Sequence, residues 1–266
     1  ELRSRLSFVV LNDARSLPIE KKLLSSKQGL ANLQARVQPE RALIHAFASG
    51  QKIHDLGEVL GTPVEGPRSP ELDYWGTKSG GRKLFTDAGL TCFDGANDLH
   101  SRRDLVQALL ETIERNPTAQ RAVVKMNESV SGRGNAVFNI PQFDPSTSLT
   151  EKHRLIEAEI DRLDFPGCSI ENFDNDLVEV GCVIELFAEG EFVEELTGMF
   201  FIHTDGRVEA LATHGQFTNE RMAYQGGSFP APSPFRASVQ DATFKVGQEL
   251  AKRGVVGYFG VDYLAV

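Results

Sequence analysis

Cysteine is scarce. The chain of 266 residues holds three, Cys92, Cys168 and Cys182. The odd number, the wide spacing and the lack of any CxxC pair argue against a disulfide framework and fit free thiols in a reducing compartment. A cytoplasmic location is therefore expected. The six histidines form no HxxxH or HExxH pair, which argues against a zinc site. No apolar run approaches the roughly 18–20 residues a membrane span needs. A basic excess is also missing: 28 Lys and Arg stand against 37 Asp and Glu, a net charge of −9. That balance argues against nucleic acid as a partner, although a local basic cleft is compatible with it. The first residues, Glu1-Leu-Arg-Ser-Arg-Leu6, show neither an initiator Met nor a signal-peptide pattern, so a processed, trimmed or partial chain is expected.

What is present is ordinary for a globular protein: 41% hydrophobic and 24% charged residues, enough for one large domain or two small ones. Residues 6–11, Leu-Ser-Phe-Val-Val-Leu, read as a buried strand. Helical stretches are expected over 19–37, interrupted near Ser25, Ser26 and Gly29, and over 38–60. Together they predict a small N-terminal α/β unit. A third helix is expected after Lys78, with Leu84, Phe85 and Ala88 as its apolar stripe and Gly89 as its stop. Its N-terminus, Lys78-Ser-Gly-Gly81, is a place where a phosphate would be welcome. Ser101 is a plausible N-cap for a helix over 102–115, in which Leu105, Leu109 and Ile113 recur at four-residue spacing. A further amphipathic helix is expected over 151–163.

From Leu177 the pattern changes to strands: Val178–Phe187 with the acid Glu185, then Leu196–His203, the tight turn Thr204-Asp-Gly-Arg207, and Val208–Thr213. The polar segment 214–235 reads as a long connection of the kind that often carries function. A helix over 237–253 and a strand over 255–266 close the chain. Asp262 stands out in that strand, where Asp is disfavoured; it needs a hydrogen-bond partner, a substrate or a metal.

The stretch Arg121-Ala-Val-Val-Lys-Met-Asn-Glu-Ser-Val-Ser-Gly-Arg-Gly-Asn135 organises the rest. It opens as an apolar strand carrying Lys125 and breaks into a loop with Ser129, Ser131, Gly132, Gly134 and Asn135 before the next strand, Ala136–Ile140. Glycines let backbone N–H groups approach phosphate oxygens, and the lysine adds a point charge. By itself the stretch is equally an ordinary hairpin with a solvated loop.

The ordered set Lys78, Lys125 with its Gly loop, Glu185, Glu191 and Gly-x-Asp262 resembles the ATP-grasp superfamily. The phrases Tyr74-Trp-Gly-Thr-Lys-Ser-Gly-Gly-Arg-Lys-Leu-Phe85, Val123-Val-Lys-Met-Asn-Glu-Ser-Val-Ser-Gly-Arg-Gly-Asn-Ala-Val137 and Gly254-Val-Val-Gly-Tyr-Phe-Gly-Val-Asp-Tyr263 resemble the pheganomycin-type ATP-grasp peptide ligases. The resemblance implies an α/β chain of α+β subdomains: a pre-ATP-grasp-like unit over 1–72, a small lid subdomain over 73–176 and a C-terminal subdomain over 177–266. It implies an ATP-dependent carboxylate–amine ligase working through an acyl phosphate, with ATP and Mg²⁺ as cofactors and small-molecule or peptide acids and amines as substrates. It leaves a homodimer open. Lys78 and Lys125 would contact phosphates. Ser131, Gly132, Gly134 and Asn135 would belong to the lid. The backbone at Glu185, Leu186 and Phe187 would meet the adenine, Glu191 the ribose, and Asp262 the metal.

Two departures bear on this. Relatives supply a Glu-x-Asn on the strand after the aspartate, and here the sequence stops four residues past Asp262. A half-present metal site and a truncated C-terminal subdomain are therefore expected. Relatives also carry an arginine just before the aspartate, a role left here to Arg221 or Arg236. The alternatives are a nucleotide-binding module without catalysis and an ATP-grasp kinase acting on a small molecule.

Overall fold

The computed structural model describes residues 5–14, 19–46, 50–66, 73–128, 134–165, 170–189, 194–218 and 224–265. They divide into two compact units, residues 1–73 with 255–257, and residues 74–254 with 258–266. Ser129, Ser131, Gly132, Cys168, Glu191 and Arg221 lie outside the described residues.

The first unit holds α1 (Ile19–Ser25), α2 (Lys27–Gln34) and α3 (Gln51–Leu60). Ser26 separates the first two and caps the second, its side chain accepting from Gly29 N. Two expectations fail here. Residues 6–11 have no strand partner among the described residues, and Leu6, Phe8 and Val10 are exposed. An apolar run marks a wish for burial, but only a paired neighbour makes a strand. The helix expected over 38–60 is confined to α3. Before it, Ile44 is extended and forms a parallel bridge with Val64.

The second unit holds two four-stranded antiparallel sheets. The first comprises β1 (Gly95–Leu99), β2 (Arg121–Met126), β3 (Asn135–Asn139) and β4 (Cys182–Leu186) in the order β1-β4-β2-β3. One face of β2 is buried through Ala122, Val124 and Met126, which turns Val123 and Lys125 to the other face. The buried face packs on α5 (Arg102–Arg115) and α6 (Leu149–Ile160), with Leu105, Leu109, Phe138, Ile156 and Ile160 fully enclosed. Ser101 and Ser148 cap these helices, accepting from Asp104 N and Glu151 N. The helix α4 (Lys78–Asp87) precedes β1, and α7 (Ile170–Glu179) precedes β4.

The sequence reading misses β1 and α7. Gly, Asn and Asp are poor strand formers. β1 exists because its backbone pairs with Ile184 and Glu185, and it takes in Asp98 at a φ of 53°. The apolar run from Val178 is split between the end of α7 and β4. Gly181, at a φ of 74°, makes the break.

The second sheet comprises β5 (Glu194–Ile202), β6 (Val208–Thr218), β7 (Tyr224–Ser228) and β8 (Gly257–Ala265), ordered β7-β6-β5-β8. α8 (Ser233–Lys252) covers one face through Val239, Thr243, Val246 and Leu250. At Gly198 a Cβ would stand 2.0 Å from Thr243 Oγ1, so only glycine lets helix and sheet approach this closely. The expected long loop over 214–235 is mostly ordered structure: β6 runs on to Thr218, β7 follows, and α8 starts at Ser233. His214, Gln216 and Thr218 read as loop because they are polar. In the fold Gln216 and Thr218 bond across the sheet to Asp262 and Glu195.

Candidate active site

The site grows from three neighbouring elements: the start of α4, the end of β2, and β4. Thr77 caps α4 and accepts from Gly80 N, while Gly81 N donates to Thr77 O. Gly80 lies against the turn at Tyr74–Gly76, where a Cβ would stand 1.9 Å from Tyr74 O. Asn127, two residues past Lys125, fastens this helix end to the sheet. Its Oδ1 accepts from Ser79 N at 3.0 Å and Ser79 Oγ at 2.8 Å, and its Nδ2 donates to Val180 O at 2.9 Å. This corrects the expectation that the helix N-terminus would hold a phosphate. The N–H groups of Ser79, Gly80 and Gly81 already have protein acceptors.

Cationic side chains converge on Glu185 of β4. Lys125 Nζ forms a short ion pair with its Oε2, and Arg82 Nη1 donates to its Oε1 at 2.6 Å. The carboxylate is 16% exposed. Burial would raise its pKa, but Lys125 and Arg82 outweigh that and hold it below the usual glutamate range. Lys78 lies in the same electrostatic cluster. Burial lowers its pKa to about 8, Lys125 pushes the same way, and Glu185 offsets part of the effect.

The other sequence candidates divide. Asn135 stands directly opposite Lys125 in the β2–β3 register, and its buried Oδ1 has no hydrogen-bond partner. Gly134 takes a φ of 87° at the entry to β3. Leu186 N and Phe187 N donate to Asp94 O and Arg121 O, so these two N–H groups are engaged within the sheet. Phe187 also lies under the guanidinium of Arg121, 3.9 Å from its ring centroid. Arg236 donates Nε and Nη2 to Ala231 O, at 3.2 and 3.0 Å.

Asp262 lies on β8 in the second sheet, exposed, and its Oδ1 accepts from Thr197 Oγ1 and Gln216 Nε2, each at 2.7 Å. Among the described residues no group of three or more His, Cys, Asp or Glu gathers to hold a metal. The Glu-x-Asn that does occur, Glu114-Arg115-Asn116, ends α5, and its Asn116 binds Asp94. One carboxylate with a neighbouring hydroxyl and amide still fits Mg²⁺, which takes one or two protein carboxylates and completes its shell with phosphates and water.

Sequence reasoning missed Arg82, Asn127, Thr197 and Gln216. Arg82 alone left a signal, at four residues from Lys78 on one helix face.

Two antiparallel sheets with lysines from α4 and β2 meeting beside β4 define an ATP-grasp domain. The description "IQCH-like, ATP-grasp" matches residues 70–163 and 165–266, and the chain belongs to this family. It is 28% identical over 269 residues to the L-propargylglycine–L-glutamate ligase of Streptantibioticus cattleyicolor, covering 99% of this chain and 53% of that protein. It is 23% identical to IQ motif-containing protein H of Danio rerio, covering 93% of this chain and 26% of that protein. The chain thus spans about half or less of the curated relatives it matches. Among solved structures, the biotin carboxylase domain of the Hydrogenobacter thermophilus 2-oxoglutarate carboxylase, with MgADP, superposes with a TM-score of 0.63 at 14% identity, over 94% of this chain and 50% of that one. No helix among the described residues is long and apolar enough to cross a membrane.

Proposed function

We propose that the protein is an ATP-dependent carboxylate–amine ligase that makes a peptide-like amide through an acyl phosphate. The observation that carries this is the convergence of Lys78 and Lys125 on Glu185, together with likeness over nearly the whole chain to a ligase of two amino acids. In this reading Lys78 and Lys125 hold the phosphates. An acid's carboxylate oxygen attacks the γ-phosphorus and ADP leaves. The amine then attacks the acyl carbon, phosphate departs, and the amine gives up a proton. Asn135 offers its unpaired side-chain carbonyl to a donor on the ligand. Asp262 would hold Mg²⁺ through the oxygen not taken by Thr197 and Gln216; the ion would offset charge on the transferring phosphoryl group. The relative's name points to free amino acids as acid and amine.

The test is the stoichiometry of turnover. ADP and phosphate should appear together, and only when both an acid and an amine are supplied. Phosphate retained on a hydroxyl product would indicate a kinase instead. One other reading is a module that binds ATP without turning it over. Saturable MgATP binding with no product under a broad screen of acids and amines would establish that reading.

Lys78 makes the binding pH-dependent. Its pKa is near 8 before ligand binds, and a bound phosphate raises it. Affinity is therefore full below about pH 8 and falls as pH rises from there through the bound-state pKa. Calorimetry at pH 8.5 in buffers of different ionisation enthalpy should show proton uptake on MgATP binding. No uptake would mean Lys78 does not meet the phosphates.

A further inference from the structure

Arg82 is the most heavily engaged cation of this region and has no part in the reading above. It sits one turn after Lys78 on α4, and its side chain is 10% exposed. Each nitrogen of its fork has a different partner: Nε donates to Asn97 Oδ1 at 2.6 Å, Nη1 to Glu185 Oε1 at 2.6 Å and Nη2 to Phe93 O at 3.0 Å. A guanidinium buried this far is tolerable only with its donors satisfied, and only a planar fork reaches three acceptors at once. The acceptors come from β1, from β4 and from the segment before β1.

The consequence concerns Lys125. Glu185 gives one oxygen to Arg82 and the other to Lys125. With Oε1 fixed by an immobile guanidinium, the plane of the carboxylate is fixed, and so is the direction in which it holds the ammonium. Without Arg82, Glu185 is free to turn both oxygens onto Lys125. We propose that Arg82 is a positioning residue for the ATP phosphates: it holds Glu185 so that Lys125 stays oriented. This rests on the reading of Lys78 and Lys125 as phosphate ligands.

The test measures MgATP affinity against pH for the protein and two variants, with thermal melts alongside. The charged groups acting on Lys78 include Lys125 on β2 and Glu185 on β4, and Arg82 follows one turn later on the same helix. Tyr74 bonds to Asp98, Asp87 pairs with Arg253 of the segment after α8, and Cys92 lies near Arg82 and Glu185. Arg82→Gln should weaken MgATP binding by about tenfold or more, the scale of one charge-assisted contact. It should also move the pH midpoint of binding upward, because Glu185, released from Arg82, acts more fully on Lys78. Arg82→Lys keeps the charge but not the fork. It should fold, leave the midpoint in place and weaken binding several-fold. A purely structural arginine would lower the melting temperature and leave both the affinity of the folded fraction and the midpoint unchanged. That outcome in Arg82→Lys, or in a folded Arg82→Gln, overturns the inference. Failure of the unaltered protein to bind MgATP would instead overturn the functional reading beneath it.

Discussion

Lys125→Ala is expected to weaken MgATP binding by about 100-fold or more while the protein stays folded. A charge-assisted contact contributes about 1.5–3 kcal/mol, or roughly 10–100-fold in affinity. Here the loss is larger than one contact, because Lys125 also neutralises Glu185 Oε2. With the lysine gone, that oxygen faces the phosphates without its cation and repels them. Stability should change little, since the ammonium is 30% exposed and Arg82 still pairs with Glu185. Calorimetric titration with MgATP, paired with a thermal melt, separates the two effects. A variant that binds MgATP as the original does would remove Lys125 from the phosphate site.

Phe138→Ala should do the reverse. Phe138 is fully buried on β3, opposite Ala122 of β2, beneath α5 and α6. Truncating a buried phenylalanine costs about 3–5 kcal/mol through lost transfer energy and the cavity left behind. In a unit of this size that lowers the melting temperature by roughly 10 °C. The ring does not reach the cationic face, since β2 turns Ala122 and Val124 inward and Lys125 outward. MgATP at saturation should therefore recover part of the lost melting temperature, because ligand bound only to the folded state stabilises it by mass action. A near-unchanged melt would show that the core under this sheet is looser than its burial implies.

Much of the second unit was legible because its signals are local. Ser101, the four-residue spacing of Leu105, Leu109 and Ile113, and the Asn116-Pro117 stop define α5 without reference to anything distant. Lys78, Lys125 and Glu185 were legible as a set, through their order along the chain and the phrases around them. What stayed hidden depends on distant partners. β1 has no strand-forming residues of note and exists through its pairing with β4. β6 and β7 looked like loop because Gln216 and Thr218 are polar, and their partners Asp262 and Glu195 lie far away in sequence. The run at residues 6–11 failed in the opposite sense: apolar content was there, pairing was not. Arg82 carried no role in the sequence reading. Only the fold shows three acceptors closing around it.

The acyl phosphate is the species on which ligation stands, and hydroxylamine intercepts it. Incubated with MgATP, a panel of free amino acids as the acid and hydroxylamine in place of the amine, the protein should form an acyl hydroxamate in step with ADP and phosphate. Lys125→Ala should form none at the same ATP concentration. ADP released at the same rate with no acid present, or ATP consumed with no hydroxamate from any acid in the panel, would contradict ligation through an acyl phosphate.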